Sequence, residues 1–354
     1  MRQWPQLRRL PCRPSARRPA RSSWRAALAA VLSALAMTAA ATPVQSGSQS
    51  EGRVIVEAME YPWSAIGRVN AGGRGYCTGF LVGPRHVMTA AHCLYDFTEG
   101  RWRGASELHF VAGYQRDQFL IHSKVAGYET SSRFDVADQR DVNNTIHDWA
   151  LLTLEDPIGR SAGWLGLMAL NSATLQTVTS GDRQILQAGY RSGRAHAMSA
   201  SPGCRVLRRF AGGHGLVHDC AVYHGDSGSP LLLFAGEEVH VIAMEVRLLT
   251  LDGRKVGAAI SMTAFRSGDE PQASRALGQA GRVWRSGSLP GSGSPAARLP
   301  EGTIDRLLTR LGYLAEGNAD ARGAAIRAFE ADQGLAVTGT PSLALMNRLL
   351  IAAR

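Results

Sequence analysis

Apolar residues in this 354-residue chain follow two different rhythms. As far as about residue 266 they gather in short runs of strand length. Examples are Gly79–Met88, Trp149–Leu154, Leu231–Phe234 and Val241–Val246, each bounded by turn-forming or charged residues. After residue 300 the spacing becomes helical. Leu307, Leu308, Leu311 and Leu314 make one stripe, closed near Gly312. Ala325, Ile326 and Phe329 make a second, closed before Gly334. Leu343, Met346, Leu349 and Leu350 make a third, for which Thr340-Pro341 supplies an N-cap and a first-position proline. Between the two regions, Ser286–Pro295 is Gly/Ser/Pro-rich without hydrophobic periodicity and predicts a flexible linker. The pattern predicts strands followed by a small three-helix unit.

Charge alters the picture only at the beginning. The formal charge is +10, but residues 1–41 hold eight arginines and no acid. Of 39 basic residues that leaves 31, against 29 acids. A near-neutral remainder with only Lys124 and Lys255 as lysines gives no electrostatic case for nucleic acid. The arginines precede an alanine- and leucine-rich run, Ala26–Ala41, as in a signal peptide. Sixteen weakly apolar residues fall short of the ~20 a spanning helix needs, so stable membrane insertion is not expected.

The candidate chemistry lies in the strand region. Gly225-Asp226-Ser227-Gly228-Ser229-Pro230 runs straight into Leu231–Phe234, placing a serine on a tight turn at a strand's start. The N–H groups of Gly225 and Ser227 are positioned to bind one developing oxyanion. Upstream, small residues surround His92 in Thr89-Ala90-Ala91-His92-Cys93, a candidate general base. Asp148 heads the apolar run Trp149–Leu154 and is the candidate to fix the imidazole tautomer. Asp135, Asp138 and Asp141 compete for that role, but none leads into such a run.

TAAHC, DWALL and GDSGSP, in the order His, Asp, Ser, together resemble the chymotrypsin/trypsin family of serine proteases. Tyr61–Arg68 also resembles that family's first strand, especially in its bacterial secreted branch near the glutamyl endopeptidases. The similarity covers roughly 53–266. It implies an all-β double six-stranded β-barrel with His92, Asp148 and Ser227 in the cleft between barrels, an oxyanion hole from Gly225 and Ser227, and no cofactor. Cys12 would leave with the signal, and the other four cysteines permit three pairings. Cys77–Cys93 and Cys204–Cys220 are expected, the first clipping the loop that carries His92 as in the family. Each would close a loop of about fifteen residues, worth on the order of 3 kcal/mol, and both require an oxidising compartment.

The specificity pocket departs from known patterns. Ala221, followed by Val222, stands where trypsins place an aspartate. Ala243 stands where glutamyl members place a histidine. Glu245 falls where a pocket-wall glycine is common, and would narrow the pocket, attract a basic side chain, or face solvent from its strand. A small or medium apolar substrate side chain is expected. The spacing of His214, His218, Cys220 and His224 is open to a zinc cluster. The resemblance assigns His218 to the pre-nucleophile loop and Cys220 to a disulfide, so no metal is expected. Arg53-Val54-Ile55 lies where family members are cut after a basic residue, freeing an amino terminus to pair with the aspartate before the nucleophile, here Asp226.

Leu311–Leu314, Ala325–Glu330 and Gly334–Gly339 resemble the peptidoglycan-binding domain of bacterial wall enzymes, over about 302–352. Glu330 replaces the usual glutamine, and the loop Ala315–Gly323 is short. The expected organisation is a signal peptide at 1–41, a short propeptide at 42–53, a protease domain at 54–266, a linker at 267–300 and a peptidoglycan-binding-like domain at 301–352. The expected function is an exported serine endopeptidase, periplasmic, secreted or wall-associated, acting on proteins or peptides. The alternatives are a non-catalytic wall-binding protein with a decayed protease fold, and an enzyme acting on the wall itself.

Overall fold

The computed structural model describes residues 52–73, 75–138, 141–181, 183–266 and 299–354, with single positions 274, 275, 277, 287 and 289 between. The expected signal peptide, residues 42–51 of the expected propeptide and most of the expected linker lie outside the described residues. In chain order the strands are β1 Val54–Ile55, β2 Ile66–Ala71, β3 Tyr76–Leu81, β4 His86–Thr89, β5 Tyr95–Asp96, β6 Arg101–Trp102, β7 Leu108–Ala112, β8 Ile121–Thr130 and β9 Ala150–Leu154. There follow β10 Gly166–Leu167, β11 Ile185–Gly189, β12 Ser199–Cys204, β13 Val206–Phe210, β14 Gly215–His218, β15 Pro230–Ala235, β16 Glu238–Leu251 and β17 Arg254–Ser261.

Strands β2, β3, β4, β9, β8 and β7 close into a six-stranded barrel. Its alternation is visible on β8, where Ser123 and Val125 are buried while His122, Lys124 and Ala126 are exposed. The second half is a nine-stranded sheet in the order β1-β12-β11-β15-β16-β17-β14-β13, with β10 pairing β16 in parallel. The fold is therefore the expected chymotrypsin-like all-β one, with more than six strands in the second sheet. The short strands β1 and β10 add to it, and β13 and β14 fold on as a hairpin beside β17. Residues Val239–Val246 of β16 are all buried, His240 and Glu245 included, so the strand shows a continuous buried run instead of an alternating one.

The tail forms three helices, Glu301–Arg310, Arg322–Asp332 and Leu343–Ala352. The third is capped by Ser342, whose hydroxyl accepts from the Leu345 N–H at 3.0 Å, and not by the expected Thr340-Pro341. A serine next to the first apolar residue of the stripe reaches the orphan amide that Thr340 cannot reach.

The helices dock on the strand region, within one compact unit spanning Gln49–Arg354. Two acids from the strand region cap them. Glu60 accepts from the N–H groups of Gly302 and Thr303 at 2.7 and 3.0 Å. Glu237 accepts from those of Leu343 and Ala344 at 2.9 and 3.3 Å. Each places a negative charge on a helix N-terminus. Glu57 pairs with Arg306, and Arg354 donates to the Gly203 carbonyl at 2.6 Å. Ile304, Leu308, Met346 and Leu350 join the same apolar cluster as barrel residues such as Trp63 and Trp149.

Candidate active site

Strands β4 and β9 are antiparallel neighbours with Thr89 opposite Ala150. Residues just past Thr89 and just before Ala150 must therefore meet. His92 follows on the 3-10 turn Ala91–Leu94, which the Cys77–Cys93 disulfide ties to β3. Asp148 ends the 3-10 turn Asn143–His147 that leads into β9. Its buried carboxylate holds His92 at two points. Oδ2 lies 2.7 Å from the ring Nδ1, and Oδ1 accepts from the His92 backbone N–H at 2.8 Å. Burial pulls the His92 pKa down, but the charge and hydrogen bond of Asp148 outweigh it, so the imidazole ends above the ordinary 6.5.

Ser227 lies on the turn before β15. The turn is fixed from several sides. Thr78 N–H donates to the Ser227 carbonyl at 3.0 Å, and Thr78 Oγ1 to the Gly225 carbonyl at 2.9 Å. Gly228 N–H donates to the Glu245 carbonyl at 2.8 Å. Both flanking glycines are required. Gly225 has φ +91° and Gly228 φ +81°, and a Cβ on Gly228 would lie 2.2 Å from the Thr78 carbonyl oxygen. The N–H groups of Gly225 and Ser227 donate to no protein acceptor among the described residues. Ser227 Oγ donates to the Val246 carbonyl at 3.3 Å.

His92, Asp148 and Ser227 line one cleft of about 380 Å³. Its walls include Phe97, Val222, His224, Glu245, Arg247 and Leu249. Of the four residues expected to shape the pocket, Val222 and Glu245 reach the cleft, whereas Ala221 and Ala243 do not. Ala221 is drawn away by its backbone, whose N–H bonds Ser201 Oγ and whose carbonyl accepts from Arg53. Ala243 packs in the core between Leu231 and Ser261 on neighbouring strands. Register shifts in β16, against β15 at Leu231/Leu232 and against β17 at Glu245/Arg247, carry Val246–Leu249 into the wall instead. No local pattern in the chain marks those bulges.

Glu245 does not face solvent. It is 2% exposed and meets His218 Nε2 at 2.6 Å. Burial pushes its carboxyl up, against the pull of His218. His218, on β14, and Glu245, on β16, reach each other across β17 because Gly257 lies between them. A Cβ there would sit 2.3 Å from the His218 ring. The pair joins residues 27 apart through a third strand, so neither residue announces it in the sequence. His218 is thus held in an acid–imidazole pair and does not join His214, Cys220 and His224 in a cluster. Among the described residues the one grouping of potential metal-ligand atoms is Cys77, His92 and Cys93, and both sulfurs are consumed by a disulfide. Cys204 and Cys220 form the second disulfide.

Beneath the turn, Asp226 is fully buried and pairs with Arg53 of the continuous chain, Nη1 to Oδ2 at 3.0 Å. With the 53–54 bond intact the cation beside Asp226 is the Arg53 guanidinium, whereas the expected partner was an amino terminus freed at Val54 by cleavage. Burial pushes the Asp226 carboxyl up, and Arg53, Gln187 and the Tyr223 N–H pull it back. Removing either charge alone would cost on the order of 3–5 kcal/mol.

The chain is similar to known proteins over part of its length. A glutamyl endopeptidase of Bacillus licheniformis is 28% identical over 134 residues, 38% of this chain and 40% of that protein. An extracellular metalloprotease of Bacillus subtilis is 30% identical over 98 residues, 28% of this chain and 29% of that protein. The chain thus spans well under half the length of these curated relatives. A solved structure of Glu endopeptidase in complex with MPD superposes with TM-score 0.50 at 16% identity, covering 64% of this chain and 97% of that one, which is a likeness of fold alone. The trypsin family model matches residues 52–265, the whole span that carries the barrel, the second sheet and the cleft. Sequence, sheet topology and the match agree, and the chain belongs to the trypsin family.

Proposed function

We propose that this chain is an exported serine endopeptidase that hydrolyses peptide bonds in proteins. The observation that carries the reading is the two-point grip of Asp148 on His92 in a cleft shared with Ser227. With Nδ1 donating to Asp148, Nε2 is left as the acceptor, 3.7 Å from the Cys93 sulfur, which is oxidised and has no proton to give. Ser227 Oγ turns from the Val246 carbonyl, gives its proton to Nε2 and attacks the scissile carbonyl carbon. The carbonyl oxygen gains charge between the Gly225 and Ser227 amides. The imidazolium then protonates the leaving amine as the C–N bond breaks. Water, deprotonated by the same nitrogen, cleaves the acyl-enzyme and restores the serine.

The wall of the cleft argues against carrying over the preference printed in a relative's name. Ala243, at the place of a histidine in glutamyl members, lies in the core, and Glu245 lines the cleft with its carboxyl held by buried His218. A small or medium apolar side chain, packed on Val222 and Val246, remains the proposed specificity. Two disulfides support an oxidising compartment, as does the leader-like pattern at 1–41. Among the described residues no helix is long and apolar enough to cross a membrane. Wall targeting is the finer proposal. The tail carries its own recess of about 320 Å³, lined by Asp305, Arg306, Thr309, Leu314, Glu316 and Asn318.

A fluorophosphonate probe tests the activity. It is expected to label the purified full chain at Ser227, and Ser227→Ala is expected to lose both labelling and casein cleavage. A correctly folded chain that takes no label would leave the decayed-protease alternative standing. Wall fragments still released by Ser227→Ala would favour an enzyme of the wall itself. Co-sedimentation of the full chain with purified peptidoglycan tests targeting, and a chain that stays in the supernatant removes it.

A further inference from the structure

Strand β1 runs along β12 with Val54 opposite Ala200, and this register delivers Arg53 beneath the nucleophile turn. The Arg53 side chain is 4% exposed and its hydrogen bonds reach four residues. Nη1 shares its two hydrogens among Gln187 Oε1 at 2.6 Å, the Ala221 carbonyl at 2.7 Å and Asp226 Oδ2 at 3.0 Å. Nη2 donates to the Ser199 carbonyl at 2.6 Å and to Asp226 Oδ1 at 3.3 Å, and Nε donates to Ser199 Oγ at 3.0 Å. Asp226 lies between the two residues whose amides face the cleft, and it also accepts from the Tyr223 N–H at 3.0 Å. The other charged or titratable groups acting on the pair are Arg191, Tyr223, Glu245 and Tyr76.

A cut between Arg53 and Val54 would not reproduce this arrangement. It frees the guanidinium to leave with the upstream piece. The new ammonium at Val54 would start in a strand already paired with β12. It brings three N–H donors where the guanidinium brings five, in a planar fork that matches a carboxylate. Asp226, Gln187, Ala221 and Ser199 would not all be satisfied, and buried acceptors without donors are costly.

We propose that Arg53 of the unbroken chain is the positioning residue that sets the nucleophile turn, so that activity requires the 53–54 bond to be intact. Arg53 touches no reacting atom; it acts through Asp226 on the Gly225 and Ser227 amides. The proposal rests on the hydrolase reading above.

The test uses the full chain carried through its natural export, labelled with a biotinylated fluorophosphonate. The amino terminus of the labelled species is read by intact mass. It is expected to lie upstream of Val54; a labelled species that begins at Val54 overturns the proposal. Arg53→Gln is expected to slow labelling about 100-fold, the scale of a misplaced catalytic geometry. The loss should fall on kcat more than on KM. Arg53→Lys, which keeps the charge, should recover part of the rate. Arg53→Gly should recover part on addition of millimolar guanidinium. Arg53→Gln that labels at the wild-type rate also overturns the proposal. Should Arg53→Gln not fold, the terminus of the labelled wild type and the Arg53→Gly rescue decide. The hydrolase reading fails separately. A wild-type chain that never labels removes that reading and the proposal with it, whereas a labelled chain that begins at Val54 overturns the proposal alone.

Discussion

Asp148→Asn isolates the part of the site on which the proposed chemistry depends. The wild-type carboxylate accepts twice, from the His92 backbone N–H at 2.8 Å and from the ring at 2.7 Å. An asparagine offers one acceptor and one donor. If its oxygen keeps the backbone N–H, its NH₂ faces Nδ1. The ring must then carry its proton on Nε2, where it cannot accept from Ser227. If the amide flips, Nδ1 keeps its proton, but two N–H groups face each other at the backbone. That leaves a buried donor unpaired, at ~1–3 kcal/mol, and forfeits a charge-assisted bond worth ~1.5–3 kcal/mol. The flipped state is the reactive one, so the barrier rises by about 3–6 kcal/mol, or ~10²–10⁴-fold at 1.36 kcal/mol per decade. The assay is the second-order rate of fluorophosphonate labelling, with casein hydrolysis alongside and near-ultraviolet dichroism to confirm the fold. A folded Asp148→Asn protein that labels within threefold of wild type would refute the tautomer argument.

The acid limb of the kcat/KM profile should have its midpoint above pH 6.5, because Asp148 raises His92 and only the neutral ring accepts a proton. By linkage, the stability from this pair is present below the unfolded value and lost as pH rises through the folded one, which a pH series of melting temperatures would show. Gly228→Ala should cost on the order of 2–6 kcal/mol in a urea titration, combining left-handed strain with the clash at Thr78. Gly73→Ala, at φ +71° with open space around it, should cost only the strain, ~1–3 kcal/mol. Glu60→Ala should weaken docking of the Glu301–Arg310 helix by about 1 kcal/mol, read as faster hydrogen exchange confined to the tail. Unchanged exchange there would show that the cap does not hold the helix.

Much of the molecule was legible in order along the chain. Apolar runs of strand length marked β3, β4, β9, β15 and β16, and Leu307, Ile326 and Met346 marked the tail helices. Turn chemistry placed Ser227 before β15, and Asp148 was recognisable because it heads β9. These features are local: a strand or a helix stripe is a periodicity, and a tight turn needs its glycines where they stand. Which side chains meet is a different matter. Arg53 reaches Asp226 across 173 positions, and His218 reaches Glu245 through the gap left by Gly257. Bulges in β16 turned Ala243 into the core and brought Val246–Leu249 to the cleft. Pairing across strands depends on register, and a shift of one residue reverses every side chain. The sequence by itself therefore determined the elements, the fold family and the hydroxyl, imidazole and carboxyl that the cleft collects. Only the tertiary structure decided what supports the nucleophile turn, which residues wall the pocket and that the tail packs against the strand region, because each of these is a contact between distant segments that no local pattern encodes.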